Sequence, residues 1–183
     1  MEFNFISYLK ADLSRARGLQ GITIDPIHPM GIWMGIFSPR FFPVLLCRLA
    51  YLFYRYRLIP LAKAVSLLNF FLFGIEVGIK CEIGKGIFFP HTSGTVIGAL
   101  SIGKNATIYQ GVTIGARELD FCYLEASRPI IGDDVVISTG AVILGAVRIG
   151  DRSRIGANSV VLTSIPDDVL AVGAPARVIE RFS

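Results

Sequence analysis

From about residue 75 an aliphatic residue returns at every sixth position, and few folds accommodate that spacing. The series runs Val77, Ile83, Phe89, then Val96, Ile102, Ile108, Ile114, and after a gap Ile131, Ile137, Ile143, Ile149, Ile155, Val161. A period of six fits neither a helix at 3.6 nor a strand at 2. Glycine follows the aliphatic residue at positions 78, 84, 103, 115, 132, 150 and 156, and a small residue such as Ala106, Ala141 or Ser159 sits four after it. Six-residue self-similarity marks a β-helix solenoid, in which each unit supplies one short strand and one corner and three units close a triangular coil. Residues 18 apart then stack, Ile137 under Ile155 and Ile131 under Ile149, so the core is a column held largely by neighbouring coils.

The step breaks twice: it is seven between Phe89 and Val96, and seventeen between Ile114 and Ile131. Departures from a structural repeat are where function is usually grafted. The first break holds His91. The second, residues 116–129, is too long for a coil segment and must project as a loop. Ile165, Pro166, Asp167 and Asp168 mark the end of the repeats. The chain therefore divides into a helical region at 1–74, a β-helix at 75–165 and a tail at 166–183, the first two sharing one core.

Residues 4–16 read as an amphipathic helix with Ile6, Leu9 and Leu13 on one face and Lys10, Asp12 and Arg15 elsewhere. The stretch 23–40, with Asp25, Pro26, His28 and Pro29, is too rich in breakers for one long helix and reads as loop and short helix, His28 being a structural residue of it. Two apolar helices follow at 41–56 and 59–73. Arg48, Arg55, Arg57 and Lys63 interrupt both below the length that spans a bilayer. They pack on each other or on neighbouring subunits, or they attach to a membrane surface.

The net charge of +4 is concentrated there: residues 1–74 carry eight Lys/Arg against three acids, the remainder ten against eleven. No basic run interleaves with aromatics, which argues against nucleic acid and leaves a membrane surface or an anionic cofactor. Cys47, Cys81 and Cys122 form neither a disulfide framework nor a zinc site. With no metal implied and a start unlike a signal peptide, a cytoplasmic setting is expected, with the inner face of the membrane as an alternative.

Within this register the sequence resembles the serine acetyltransferase family of hexapeptide acyltransferases, including its short polysaccharide-biosynthesis members of the colanic acid acetyltransferase type. The likeness is carried by His91-Thr92-Ser93-Gly94-Thr95-Val96-Ile97-Gly98, Gln110-Gly111-Val112-Thr113-Ile114-Gly115, Ile155-Gly156-Ala157-Asn158-Ser159-Val160-Val161 and Gly173-Ala174-Pro175-Ala176-Arg177. A weaker likeness lies in Ala11-Asp12-Leu13, Asp25-Pro26 and the Arg48 helix. The resemblance implies a left-handed parallel β-helix, acetyl-CoA as acyl donor and a homotrimer with sites between subunits. It sets His91 on the family's catalytic histidine, Glu76 on the aspartate that orients it, and Asp25 on an acidic residue facing the acceptor's amine. Arg128-Pro129 stands where the family carries a histidine before proline, and Pro90 replaces the acidic residue before the catalytic histidine.

An alcohol attacks a thioester only as its proton is removed, and a neutral imidazole near pH 7 suits that task. A carboxylate would fix the tautomer and stabilise the imidazolium. His91 is thus the candidate base and Glu76 its partner. Thr139 and Ala157, one coil apart, offer stacked backbone N–H groups to the pantetheine arm and thioester. Gly115 and Thr163 are candidate cofactor contacts beside them, and Arg177 a partner for a CoA phosphate. Asp25 and Arg128 are the candidate acceptor contacts. Three readings compete: acetylation of an exopolysaccharide sugar, favoured by the missing histidine and by Glu118, Asp120, Phe121, Tyr123 and Glu125 in the excursion; serine acetylation; and a non-catalytic scaffold, against which His91 and the Gly173–Arg177 motif speak.

Overall fold

The computed structural model describes residues 4–19, 38–120 and 122–181. Among the described residues three helices precede the solenoid. Helix α1 (Phe5–Gly18) starts at Asn4, whose side chain accepts the Ser7 N–H, and buries Leu9, Asp12, Leu13 and Ala16. Ile6, expected on the apolar face, is exposed, while Asp12, expected on the polar face, is buried. Helix α2 (Phe42–Arg55) and helix α3 (Ile59–Phe73) each carry proline in their first turn, where its missing N–H costs nothing. Gly74, with φ 63°, ends α3 in a left-handed cap and leads directly into the first strand. Asp25 and His28, like the loop reading around them, lie outside the described residues.

The remainder winds as a left-handed parallel β-helix with three faces. The first face stacks β1 (Ile75–Val77), β3 (Thr95–Ile97), β6 (Thr113–Gly115), β9 (Val142–Leu144) and β12 (Val160–Val161). The second stacks β2 (Glu82–Ile83), β4 (Ser101–Ile102), β7 (Ile130–Ile131) and β10 (Arg148–Ile149). The third stacks β5 (Thr107–Ile108), β8 (Val136–Ile137), β11 (Arg154–Ile155), β13 (Val169–Gly173) and β14 (Ala176–Arg181). Ile137 pairs with Ile155 and Ile131 with Ile149, and all four are fully buried, as the 18-residue stacking requires.

Two expectations change in detail. Val96 points outward and is 40% exposed, whereas Ile97 is buried between Val77 and Ile114. The inward step across His91 is therefore eight, from Phe89 to Ile97, followed by five to Ile102: two extra residues bulge at the corner. The solenoid also continues past 165. Strand β13 pairs in parallel with β11 and buries Val169 and Ala171 before β14 turns back antiparallel and caps the end.

The helices close the other end, and one apolar core runs from Val44 and Cys47 of α2 to Ala171. A buried ion pair binds them to the first coil. Arg48 bonds to Asp12 at 2.9 Å and donates to the carbonyls of Ile83 and Gly84, while Asp12 also accepts the N–H groups of Gly86 and Ile87. Arg15 adds bonds to the carbonyls of Gly86 and Ala106. These side chains occupy backbone groups that a solenoid end would otherwise leave open.

Candidate active site

The corner that leads from the third face to the first is a column of left-handed residues: Gly74, Gly94, Gly111, Gly140 and finally Asn158. Backbone bonds run down it, from Gly94 N–H to Gly74, Gly111 to Ser93, Gly140 to Gln110 and Asn158 to Thr139, each at 2.9–3.0 Å. A Cβ on Gly140 would collide with the Asn158 side chain in the next coil, so stacking here demands glycine.

His91 sits in the bulge just before Gly94 and is exposed. Its backbone is held on both sides: Phe89 is fully buried, and the Thr92 hydroxyl donates to the Phe73 carbonyl at the end of α3 at 2.7 Å. Glu76, the second residue of β1, points outward in register with Val96, just past the same corner one coil earlier. Among the described residues no hydrogen bond or ion pair joins Glu76 to His91; the two share a corner but not a bond.

Thr139 and Ala157 lie on this same column, two and three coils beyond His91. Among the described residues neither backbone N–H donates to another protein group, which leaves both available to a ligand. Arg177, the second residue of β14, stands opposite Val172; it is exposed, with its guanidinium donating to the Ala176 carbonyl. Val172 packs on Gly156, and the Gly173 N–H reaches the Ser159 hydroxyl, so the terminal motif docks beside Ala157.

Gly115 and Thr163 belong elsewhere. Gly115 ends β6 in register with Leu144, and Thr163 follows β12, both at the opposite edge of the first face from Thr139 and Ala157. Strand direction separates them, since each strand carries the chain from one corner to the next.

The excursion 116–129 projects as expected, but Asp120, Tyr123 and Arg128 are engaged within it. Arg128 bonds to Asp120 at 2.7 Å, donates to the carbonyls of Gly98 and Asp120, and lies 4.0 Å from the centre of the Tyr123 ring. The Tyr123 hydroxyl donates to the Ala99 carbonyl, and Asp120 also accepts from Leu124 N–H and the Ser127 hydroxyl. Burial opposes ionisation of Asp120, yet these bonds and the Arg128 charge outweigh it and hold the carboxyl below its ordinary range. Arg128 is thus the latch of its own loop rather than a free partner for an acceptor carboxylate. Tyr123 and Asp120 are likewise unavailable as sugar contacts, and Phe121 lies outside the described residues.

Two residues escaped the sequence reading. Gln110 sits on the corner between the His91 and Thr139 coils with Oε1 buried and without a partner, an acceptor in want of a donor. Its place at the head of Gln110-Gly111-Val112-Thr113 was the available signal. Arg117, exposed at the opposite edge, donates to the Leu162 carbonyl beside Thr163. Among the described residues no group of three or more His, Cys, Asp or Glu is arranged to hold a metal.

Triangular coils of six-residue units, with a bulge presenting an imidazole, define the class of hexapeptide-repeat transferases. A family model described as bacterial transferase hexapeptide (six repeats) matches residues 128–163. A serine acetyltransferase of Helicobacter pylori (strain J99) is 42% identical over 139 residues, covering 75% of this chain and 80% of that one. One of Bacillus pumilus is 40% identical over 72% of this chain, which spans 60% of the relative. The crystal structure of serine acetyltransferase from Brucella abortus superposes with a TM-score of 0.81 at 27% identity, covering 98% of this chain and 70% of that one. A serine acetyltransferase solved in complex with CoA gives 0.81 at 26%, over 96% and 69%. The chain belongs to the serine acetyltransferase family.

Proposed function

We propose that the protein transfers an acetyl group from acetyl-CoA to an acceptor hydroxyl, with L-serine as the acceptor and His91 as general base. One observation carries the reading: an exposed imidazole shares a corner column with the unpartnered N–H groups of Thr139 and Ala157. His91 takes the hydroxyl proton as the acceptor oxygen attacks the thioester carbonyl. The Thr139 and Ala157 N–H groups hold the pantetheine arm, and Arg177 meets a CoA phosphate. As the carbon–sulfur bond breaks, the imidazolium returns its proton to sulfur. Glu76 steadies the imidazolium through the field of its carboxylate. Gly115 and Thr163 flank the far edge of the same face, and Asp25, outside the described residues, is assigned to the acceptor's amine by the family resemblance alone.

His91 and Ala157 stand exposed on a single chain, and a homotrimer that sets a neighbour against this corner encloses the reaction. A cytoplasmic setting suits acetyl-CoA. Peripheral attachment to the inner face of a membrane is proposed on separate grounds below.

The latch weakens both acceptor arguments. A saccharide loses Tyr123 and Asp120 as contacts, and serine loses Arg128. The names of the relatives favour serine. A neutral sugar of an exopolysaccharide, as acetylated by a colanic acid type of enzyme, stays the second reading because Arg128 is engaged. Thiol release from acetyl-CoA against L-serine and a saccharide panel, with products identified by mass, separates the two. Serine is expected to exceed about 10⁴ M⁻¹s⁻¹ in kcat/KM. A saccharide outrunning serine overturns the acceptor, and release with neither overturns the transfer.

A further inference from the structure

Helix α3 buries Ala62 and Asn69, with Val65, Ser66 and Phe73 partly covered, and exposes most of its remaining side chains. Leu61, Leu67, Leu68, Phe70, Phe71 and Leu72 stand between 45% and 74% exposed. At about 100° per residue the buried stripe lies on one side, and these six side chains sweep an arc of roughly 200° opposite it. An apolar helix surface of that extent does not face water in a stable soluble protein. An arc that wide is covered either by a large protein surface or by lipid.

The charges select the kind of surface. Residues 41–74 contain four Lys/Arg and no Asp or Glu. Arg48 is spent on Asp12, while Arg57 and Lys63 are exposed, Lys63 within the apolar arc. A long stem there lies along lipid while its ammonium reaches the headgroups. A two-fold contact through this face would set the same acid-free cationic surface against itself, and a three-fold neighbour covering it is the alternative that the F71W emission reads. A 15-residue helix is about 22 Å long, short of the roughly 30 Å hydrocarbon core. Among the described residues no helix is long and apolar enough to cross a membrane. The helix fits one leaflet, lying in its plane.

We propose that the α2–α3 hairpin seats the protein on an anionic lipid surface, with the apolar arc of α3 in the leaflet and Arg57 and Lys63 at the headgroups. The proposal is independent of which acceptor is used. Because α3 ends at Phe73, whose carbonyl holds Thr92, docking brings the His91 corner close to the membrane plane.

The test is flotation of the full-length protein with vesicles of phosphatidylcholine alone or mixed equally with phosphatidylglycerol. Recovery is expected with the mixed vesicles and is several-fold lower with phosphatidylcholine alone, in high salt, or for R57E/K63E. L67S/F71S is expected not to float at all. In parallel, F71W is read by tryptophan emission against the unsubstituted protein: it is expected to be solvent-like without vesicles and to shift blue with the anionic ones. Flotation with neither vesicle, equal flotation with both, or F71W emission already blue and unmoved by lipid overturns the proposal, the last because protein covers the face. Thiol release is measured on the same samples, so failure to float leaves the acetyl-transfer reading standing.

Discussion

His91 draws its meaning from the backbone around it. Phe89 is sunk in the core and Thr92 is tied to the end of α3, so the bulge cannot relax to the six-residue step without breaking one of them. Its exposed imidazole is then expected to matter for chemistry and little for stability. His91→Ala should lower kcat for acetyl transfer by about 10²- to 10⁴-fold, with unchanged thermal unfolding and oligomer size. A variant that keeps near-full kcat removes the base assignment. Since Glu76 makes no bond to His91, Glu76→Gln is expected to cost less than the histidine substitution; identical kinetics would move the carboxylate role to another residue.

The excursion between β6 and β7 is an element with its own latch, built from Asp120, Tyr123 and Arg128. The Asp120 carboxyl titrates below its ordinary value in the folded loop. Its contribution is therefore fully present above the unfolded carboxylate value of about 4 and is lost as pH falls through the lower folded value. Moving from about pH 7 to pH 5 is expected to leave the loop closed. Limited proteolysis within 117–127 should stay slow over that range in the parent and become fast at neutral pH in Asp120→Asn. Equal cleavage of parent and variant at neutral pH would show that Tyr123 and its bond to Ala99 hold the loop alone. The seventeen-residue gap announced this loop. Its use of Arg128 was not legible, because a guanidinium near a substrate carboxylate and one paired inside its loop look the same in sequence.

At the scale of the molecule, the Asp12–Arg48 pair joins helices to solenoid. Both side chains are almost fully buried, and Asp12 also receives two backbone N–H groups. Removing one partner leaves a buried charge uncompensated, which costs about 3–5 kcal/mol. Asp12→Ala is expected to lower the unfolding midpoint by several degrees in circular dichroism, and D12L/R48M to recover part of the loss. A midpoint unchanged in Asp12→Ala would mean that water enters the junction and that the pair carries little of its stability.

The repeat of six was enough for the sequence alone to determine the solenoid, its inward column except at Val96, and the site of both interruptions, because burying one residue per strand leaves a periodic mark. It also put Thr139 and Ala157 on equivalent corners, since 18-residue spacing is coil geometry, whereas the sharing of that corner with His91 emerged only in the packed chain. What the tertiary structure decided was everything that depends on partners from distant positions. Ile97 rather than Val96 faces inward because its neighbours Val77 and Ile114 lie one coil away on each side. Asp12, charged and mid-helix, is buried because Arg48 and two open amides of the first coil await it. Arg128 turns from ligand to latch because Asp120 and Tyr123 fold back onto it. Periodicity records which residues face a common core, but charge pairing across a fold leaves no period, and only the packed chain brings such partners together.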